Sequence, residues 1–227
     1  MKSSGVIVRF LGTFLVVKSS FGQQDIVASL NSLSVPATRV SVTPPPKPIL
    51  KVAVYFPEQF DLSILLSAEK VTTEVFRQSH VDVDWLNCPG ARLCDEPAEA
   101  LQFRVAIHSR IEEVVKDRAQ ARLMIEHDSL GFAIPCGVTD TVCLSYIFYS
   151  PIKRMALVEG TNVAVILGHV IAHEIGHALL DSNAHTHQGI MQGKLPIADL
   201  ERFLYFTSQQ SKHIVASLVA RNQLQKK

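Results

Sequence analysis

A dominant charge is the first thing this sequence lacks. Twenty-two Lys and Arg residues stand against twenty-one Asp and Glu, a formal net charge of +1, so the chain has no electrostatic footprint for a phosphate backbone. Aromatics are scarce too, at 7% with a single Trp, and no basic stripe interleaves with them. Nucleic acid is therefore not an expected partner. Also missing is an uninterrupted apolar run of about 20 residues, the length that spans a bilayer. The most apolar segment, Val163 to Leu180, carries three histidines and a glutamate. Cysteines are few, and Cys88, Cys94, Cys136 and Cys143 lack the two-residue spacing of a zinc knuckle. They fit instead an exported protein with up to two disulfides. Short loops favour Cys88 with Cys94 and Cys136 with Cys143, although chemistry equally allows a cross-link between the two loops.

What the chain has in quantity is apolar residues, 47% of the total against 19% charged. That suits one good core in a single domain, expected to be a monomer. Lys2 and Arg9, the apolar Phe10 to Val17 and the small residues around Ser20-Phe21-Gly22 read as an export signal over residues 1–22. A secreted, periplasmic or extracellular location follows, with a membrane involved only if that segment stays uncleaved. Residues 23–48 form a polar linker ending in Pro44-Pro45-Pro46-Lys47-Pro48, a stiff spacer that joins neither a helix nor a central strand. The folded domain is expected over residues 49–227.

Within it, Leu50 to Phe56 reads as a strand. Leu66 to Gln78 reads as a helix with apolar positions Leu66, Val71, Val75 and Phe76. Further strand-like runs are Val81 to Leu86, Leu101 to His108, Arg122 to His127, Gly131 to Pro135 and Leu144 to Tyr149. Thr161 can cap a long helix ending near Leu180, and Pro196 opens a last helix reaching about Asn222.

The long apolar helix holds the chemistry. His173-Glu174-Ile175-Gly176-His177 places two histidines four residues apart on one face, with Cβ atoms roughly 5–6 Å apart, so both imidazoles can close on one metal ion. Glu174 lies beside the pair, where it can act as a base without ligating. This pattern fixes only three positions, and a helical histidine can equally be a satisfied core residue. Five of the nine histidines, however, fall between positions 169 and 187. Burying imidazoles and a carboxylate on an apolar helix without partners would be costly, and a metal removes that cost. Zinc in a hydrolytic site takes three protein ligands and keeps one position open. Asp181, Ser182 and Asn183 are turn formers that end the helix and bend the chain back, so His185 is the preferred third ligand. His187 is its nearest competitor. His169, one turn before His173, reads as a core histidine or as a border of the cleft, and Asp181 and Asn183 as turn residues or as partners orienting the imidazoles.

This segment resembles the metzincin clan of zinc metallopeptidases, in which His-Glu-x-x-His-x-x-Gly-x-x-His precedes a methionine-containing turn. His173, Glu174 and His177 match, and Gly189-Ile190-Met191 is similar to the methionine turn. The clan's glycine falls on Leu180 and its third histidine on Asn183, so His185 arrives two residues late and requires a longer loop. The order strand, helix, several strands, metal helix, C-terminal helix is a second point of resemblance. It implies an α+β, zincin-like fold with a twisted mixed β-sheet packed on the metal-bearing helix and a C-terminal helix. The implied activity, for an exported protein of bacterial type, is a zinc-dependent endopeptidase with Glu174 as general base and acid and Met191 as an apolar floor. Its substrate is an extended peptide or protein held by an edge strand, here Ser145 to Tyr149. Two alternatives stay open. One resembles the gluzincins, with Glu201 or, less aptly, Asp199 as third ligand. The other is an exported zinc-containing binding protein without proteolytic activity.

Overall fold

The computed structural model describes residues 47–90, 94, 103–110, 114, 129–140, 142–196, 200 and 204–224. The expected export signal, most of the linker, the strand expected over Arg122 to His127, and both Asp199 and Glu201 lie outside the described residues. Strands β1 (Ile49–Phe56), β2 (Asp82–Pro89), β3 (Phe103–His108), β4 (Gly131–Ala133) and β5 (Cys143–Phe148) form one sheet in the order β2-β1-β3-β5-β4. The pairs β1·β2, β1·β3 and β3·β5 are parallel, whereas β4 runs antiparallel to β5. Helices α1 (Leu62–Arg77), α2 (Tyr149–Glu159), α3 (Val163–Leu180) and α4 (Ser208–Leu224) complete the described elements. The fold is thus α+β, with a mixed five-stranded sheet.

Alternation along the strands decides which face meets the helices. Leu50, Val52, Val54 and Phe56 of β1, and Phe103, Val105 and Ile107 of β3, are buried in one cluster with Leu65, Phe76, Ile166, Leu167 and Ile171. On the opposite face Tyr146, Phe148 and Val114 form a smaller cluster with Ala106 and Phe132 at its margin. Helix α3 is buried along almost its whole length, which is why its sequence is apolar all round without being a membrane span. Gly168 lets α1 close on it, because a Cβ there would lie 2.5 Å from the Ala68 carbonyl oxygen and 2.6 Å from the Val71 Cβ. Thr72 Oγ1 then donates to the Gly168 carbonyl at 2.8 Å.

Several boundaries differ from the sequence expectation. Helix α1 starts at Leu62, because the Asp61 side chain caps it by accepting from the Ser63 N–H at 2.9 Å. Its apolar face uses Leu65, whereas Leu66 points outward, 43% exposed. Tyr149 does not extend β5; it opens α2, a helix the sequence reading passed over. Pro151 in its first turn and Gly160 at its left-handed end (φ 64) mark that helix. The cap of α3 is Asn162, which accepts from Ala164 N–H at 2.9 Å, and not Thr161. Most displaced is the last helix. Leu204 to Thr207 are not helical and α4 begins at Ser208 rather than near Pro196. Thr207 N–H donates to Gln210 Oε1 at 2.8 Å and Gln210 N–H to Thr207 Oγ1 at 3.3 Å, a capping box that outweighs proline as a start signal.

The strand expected at the sheet edge also moves. Cys143–Phe148 lies between β3 and β4, so the Ser145 to Phe148 part of the expected edge strand is interior, and among the described residues the edge beside the histidine helix is the short β4. Both sequence-local disulfides form, Cys88 with Cys94 and Cys136 with Cys143, which fits an oxidising compartment. Buried Arg221 of α4 clamps the second loop, donating to the carbonyls of Cys136 at 2.7 Å and Asp140 at 3.3 Å, with its guanidinium 5.4 Å from the Phe103 ring centre.

Candidate metal centre

Helix α3 ends because Asp181 turns left-handed, with φ 48. The Asp181 and Ser182 N–H groups both fold back onto the His177 carbonyl. That turn swings the Ser182 carbonyl over the His177 ring, whose Nδ1 donates to it at 2.7 Å. The chain continues to His185, and the histidines at 173, 177 and 185 come together with one ligand nitrogen each, all within 4.8 Å of one another. Ring centres are 4.6 Å apart for His173 and His177, 5.3 Å for His173 and His185, and 5.0 Å for His177 and His185. His173 and His177 are buried and His185 is exposed. His187 does not belong to this group.

The hydrogen bonds fix which nitrogens are available. His173 Nδ1 lies 2.7 Å from the Ile190 carbonyl, and a carbonyl only accepts, so Nδ1 of both His173 and His177 must carry the proton. Their Nε2 atoms therefore hold lone pairs, and these face each other 2.9 Å apart. Burial drives the His173 pKa down to about 4, helped by its neighbours His177 and His185 and opposed by the Ile190 carbonyl. Burial likewise lowers that of His177. Two neutral imidazoles with opposed lone pairs repel unless a cation joins them. The set therefore fits one tetrahedral ion held by three nitrogens with a position left open. The outer partners are backbone carbonyls, not the Asp181 or Asn183 side chains considered from sequence. A carbonyl leaves no residue-type signature, although the helix-ending turn at Asp181 and the glycine at 189 are the traces of it.

Glu174 is buried, its Oε2 has no hydrogen-bond partner among the described residues, and burial pushes its pKa up to about 8. Gly131 of edge strand β4 makes room for it. A Cβ at 131 would lie 3.0 Å from Glu174 Cγ and Oε1, and 2.7 Å from the Tyr146 carbonyl oxygen. This glycine was not singled out from sequence, where an isolated Gly in a strand run signals close approach.

Below the histidines, Gly189 (φ 77), Ile190 and Met191 form a turn whose last two residues are fully buried. It is closed by Thr186 N–H to the Met191 carbonyl at 2.8 Å and pinned by Ile190 N–H to the Tyr205 carbonyl at 3.0 Å. Gly176 admits the turn to the helix, since a Cβ there would meet Met191 Sδ at 2.7 Å and Phe206 Cε1 at 2.8 Å. His169 is a core residue. Its Nδ1 donates to the Val165 carbonyl at 2.8 Å and its Nε2 accepts from Leu204 N–H at 3.2 Å, and burial lowers its pKa.

No protein-family model and no curated protein matches the chain. Among solved structures it is similar to an archaemetzincin from Methanopyrus kandleri, with 12% identity and a TM-score of 0.45 over 75% of this chain and 96% of that one. It is also similar to metalloproteinase-II from Bacteroides fragilis, at 9% identity and a TM-score of 0.44 over 75% of this chain and 53% of that one. Both similarities are distant.

The site's residues combine a three-nitrogen donor set, a buried carboxylate beside it and a sheet edge alongside. Such a set can hold a Lewis-acidic ion, move a proton and align an extended chain.

Proposed function

We propose that the chain is a zinc-dependent metalloendopeptidase. The observation that carries this reading is the pair of His173 and His177 Nε2 lone pairs facing each other at 2.9 Å, with both Nδ1 protons already committed to carbonyls. His173, His177 and His185 are the metal ligands. When bound, zinc supplies Lewis acidity that acidifies water to near-neutral pKa and polarises a carbonyl. Glu174 is the proton carrier. Its unpartnered Oε2 takes a proton from the attacking water and returns it to the leaving amine. Burial favours the protonated carboxyl and a nearby cation favours the carboxylate, so both forms are within reach during turnover. Ser182 and Ile190 carbonyls hold the ligand rings in the tautomer that presents Nε2. Among the described residues the edge strand β4 has one side without a strand partner, along which an extended peptide can add by main-chain hydrogen bonds close to Glu174.

The test is cleavage of a denatured broad-range protein substrate by purified protein, with bound zinc measured in parallel. The expected result is one zinc per chain and cleavage that is lost with a chelator and in Glu174→Ala. His185→Ala is expected to lose zinc, and full retention would remove His185 from the ligand set. Stoichiometric zinc without any cleavage would overturn the peptidase reading in favour of a binding protein.

A further inference from the structure

Helix α3 buries one more titratable side chain than the proposed reaction uses. His169 is fully buried one turn before His173, a position where Leu or Phe would fill the core without any polar group to satisfy. Its two nitrogens are nonetheless both engaged, and the partners leave no choice of tautomer. The Val165 carbonyl only accepts, so Nδ1 carries the proton; the Leu204 amide only donates, so Nε2 carries the lone pair. The second bond leaves the helix altogether and reaches a segment thirty-five positions downstream.

That segment, Leu204 to Thr207, is neither helix nor strand, and its last carbonyl accepts Ser211 N–H at 2.9 Å to start α4. At one end the Thr207 and Gln210 capping box joins it to α4. In its middle Phe206 packs on Phe76, with ring centres 5.3 Å apart, and against Gly176. At the other end it meets His169. Between these ties the Tyr205 carbonyl accepts Ile190 N–H at 3.0 Å, and Gly189 abuts the same oxygen, since a Cβ there would come within 2.7 Å of it. The Ile190 carbonyl in turn accepts His173 Nδ1–H at 2.7 Å. Three hydrogen bonds thus run from His169 through Leu204 and Tyr205, then through Ile190, back to His173 on the same helix.

We propose that His169 is a positioning residue for this centre: by holding the Leu204 amide it sets the height of the Tyr205 carbonyl, hence of the Ile190 peptide that orients His173. The inference rests on the metal reading for its consequence, but the coupling itself is a property of the metal-free chain. Ile190 is fully buried and the Leu204 bond is partly shielded from water, so loss of the His169 acceptor costs more than a surface bond would. Ile190 uses its N–H on Tyr205 and its carbonyl on His173, so the two bonds are coupled through the φ and ψ of this one buried residue.

The test uses three substitutions in the full chain and two readouts. His169→Gln keeps an oxygen near the place of Nε2, His169→Asn keeps a donor near Nδ1 but cannot reach Leu204, and His169→Phe keeps ring volume with neither. Amide hydrogen exchange is followed at Ile190 and Thr186 in chelator-treated protein, with β1 amides as the measure of global stability. Zinc affinity is then measured by chelator competition. The expected result is exchange at Ile190 at least about ten-fold faster in the Asn and Phe variants, with β1 protection retained, and zinc bound about ten-fold more weakly. His169→Gln should stay close to wild type on both. Equal exchange at Ile190 in all variants, or a Gln variant no better than the Asn variant, overturns the proposal. Should the Phe variant fail to fold, the Gln and Asn comparison still decides. Faster Ile190 exchange in a protein whose wild type binds no zinc would support the coupling and refute the metal reading alone.

Discussion

Glu174→Gln should reduce the loss of stability that the metal-free protein shows as pH rises. Burial raises the Glu174 pKa from 4.5 to about 8, so the folded state holds this proton more tightly than the unfolded state. The resulting stability is fully present below pH 4.5 and is lost as pH rises through about 8. At about 1.4 kcal/mol per pH unit the whole interval is worth on the order of 5 kcal/mol. His173 works in the opposite sense. Its folded pKa is lowered from 6.5 to about 4, so its penalty is paid in acid and disappears as pH rises through 6.5. His169 and His177 are lowered too and act in that same acid range. From pH 4.5 to 6.5 the three histidines oppose the carboxyl and mask its slope, whereas from about 6.5 to about 8 the carboxyl acts without them and removes about 2 kcal/mol. Glu69, also raised by burial, adds to the wild-type slope but cancels in the difference between wild type and Glu174→Gln. Urea unfolding of chelator-treated protein across that window measures both. The expected outcome is a wild type that loses about 2 kcal/mol more than the variant, and a smaller loss when zinc is restored, because a cation favours the carboxylate. Parallel profiles for wild type and variant would refute the assignment of Glu174 as a buried carboxyl without a partner.

Gly176→Ala should destabilise by about 1–3 kcal/mol in chemical denaturation, since its Cβ would meet Met191 Sδ at 2.7 Å and Phe206 at 2.8 Å in a packed core. Gly131→Ala pushes on both Glu174 and the Tyr146 carbonyl; a peptidase assay should register a fall in kcat/KM on the order of 100-fold, the scale of a displaced catalytic group, with bound zinc unchanged. Replacing Cys136 and Cys143 together by alanine opens the short loop that Arg221 also clamps. Loop-closure entropy sets that loss at about 2.5 kcal/mol, and a reducing agent, which also opens Cys88–Cys94, should lower Tm by at least as much.

Strands β1, β3 and β5, helix α3 and the three converging histidines were legible because each depends on side chains with a period or a spacing. Leu50, Val52, Val54 and Phe56 alternate, and His173 and His177 sit four apart. The misplaced features depend on information a residue pattern does not carry. Whether Ser145 to Tyr149 lies at an edge or inside is set by where β4 pairs, and three residues, Gly131 to Ala133, give too short a run to outweigh the more apolar β5. Pro196 is a helix-start signal in the sequence, but the Thr207 and Gln210 box is the better cap and sets the start of α4. The imidazoles are oriented by the carbonyls of Ser182 and Ile190, not by the Asp181 and Asn183 side chains that the sequence suggests. A carbonyl is common to every residue, so only the backbone path reveals which one is used.

That path also determines where His185 meets the other two histidines. In the metzincin pattern a glycine would occupy position 180 and a histidine position 183. Here Leu180 is still helical and Asp181 takes the left-handed turn, so the helix runs on and its exit rotates by about 100° per added residue. Asn183 then falls on an exposed stretch, and two further residues bring the chain back to His185. His185 is seated over Gly193, where a Cβ would lie 3.2 Å from its Nδ1. The turn itself stays useful, because it delivers the Ser182 carbonyl to His177. If helix exit rather than residue identity decides the third ligand, combining His185→Ala with Asn183→His should not restore zinc, although it recreates the metzincin spacing. Adding Leu180→Gly moves the left-handed turn back by one residue and should recover part of the affinity. Zinc restored by Asn183→His alone, measured by chelator competition, would show that the loop reshapes freely and that the turn at Asp181 does not dictate the ligand.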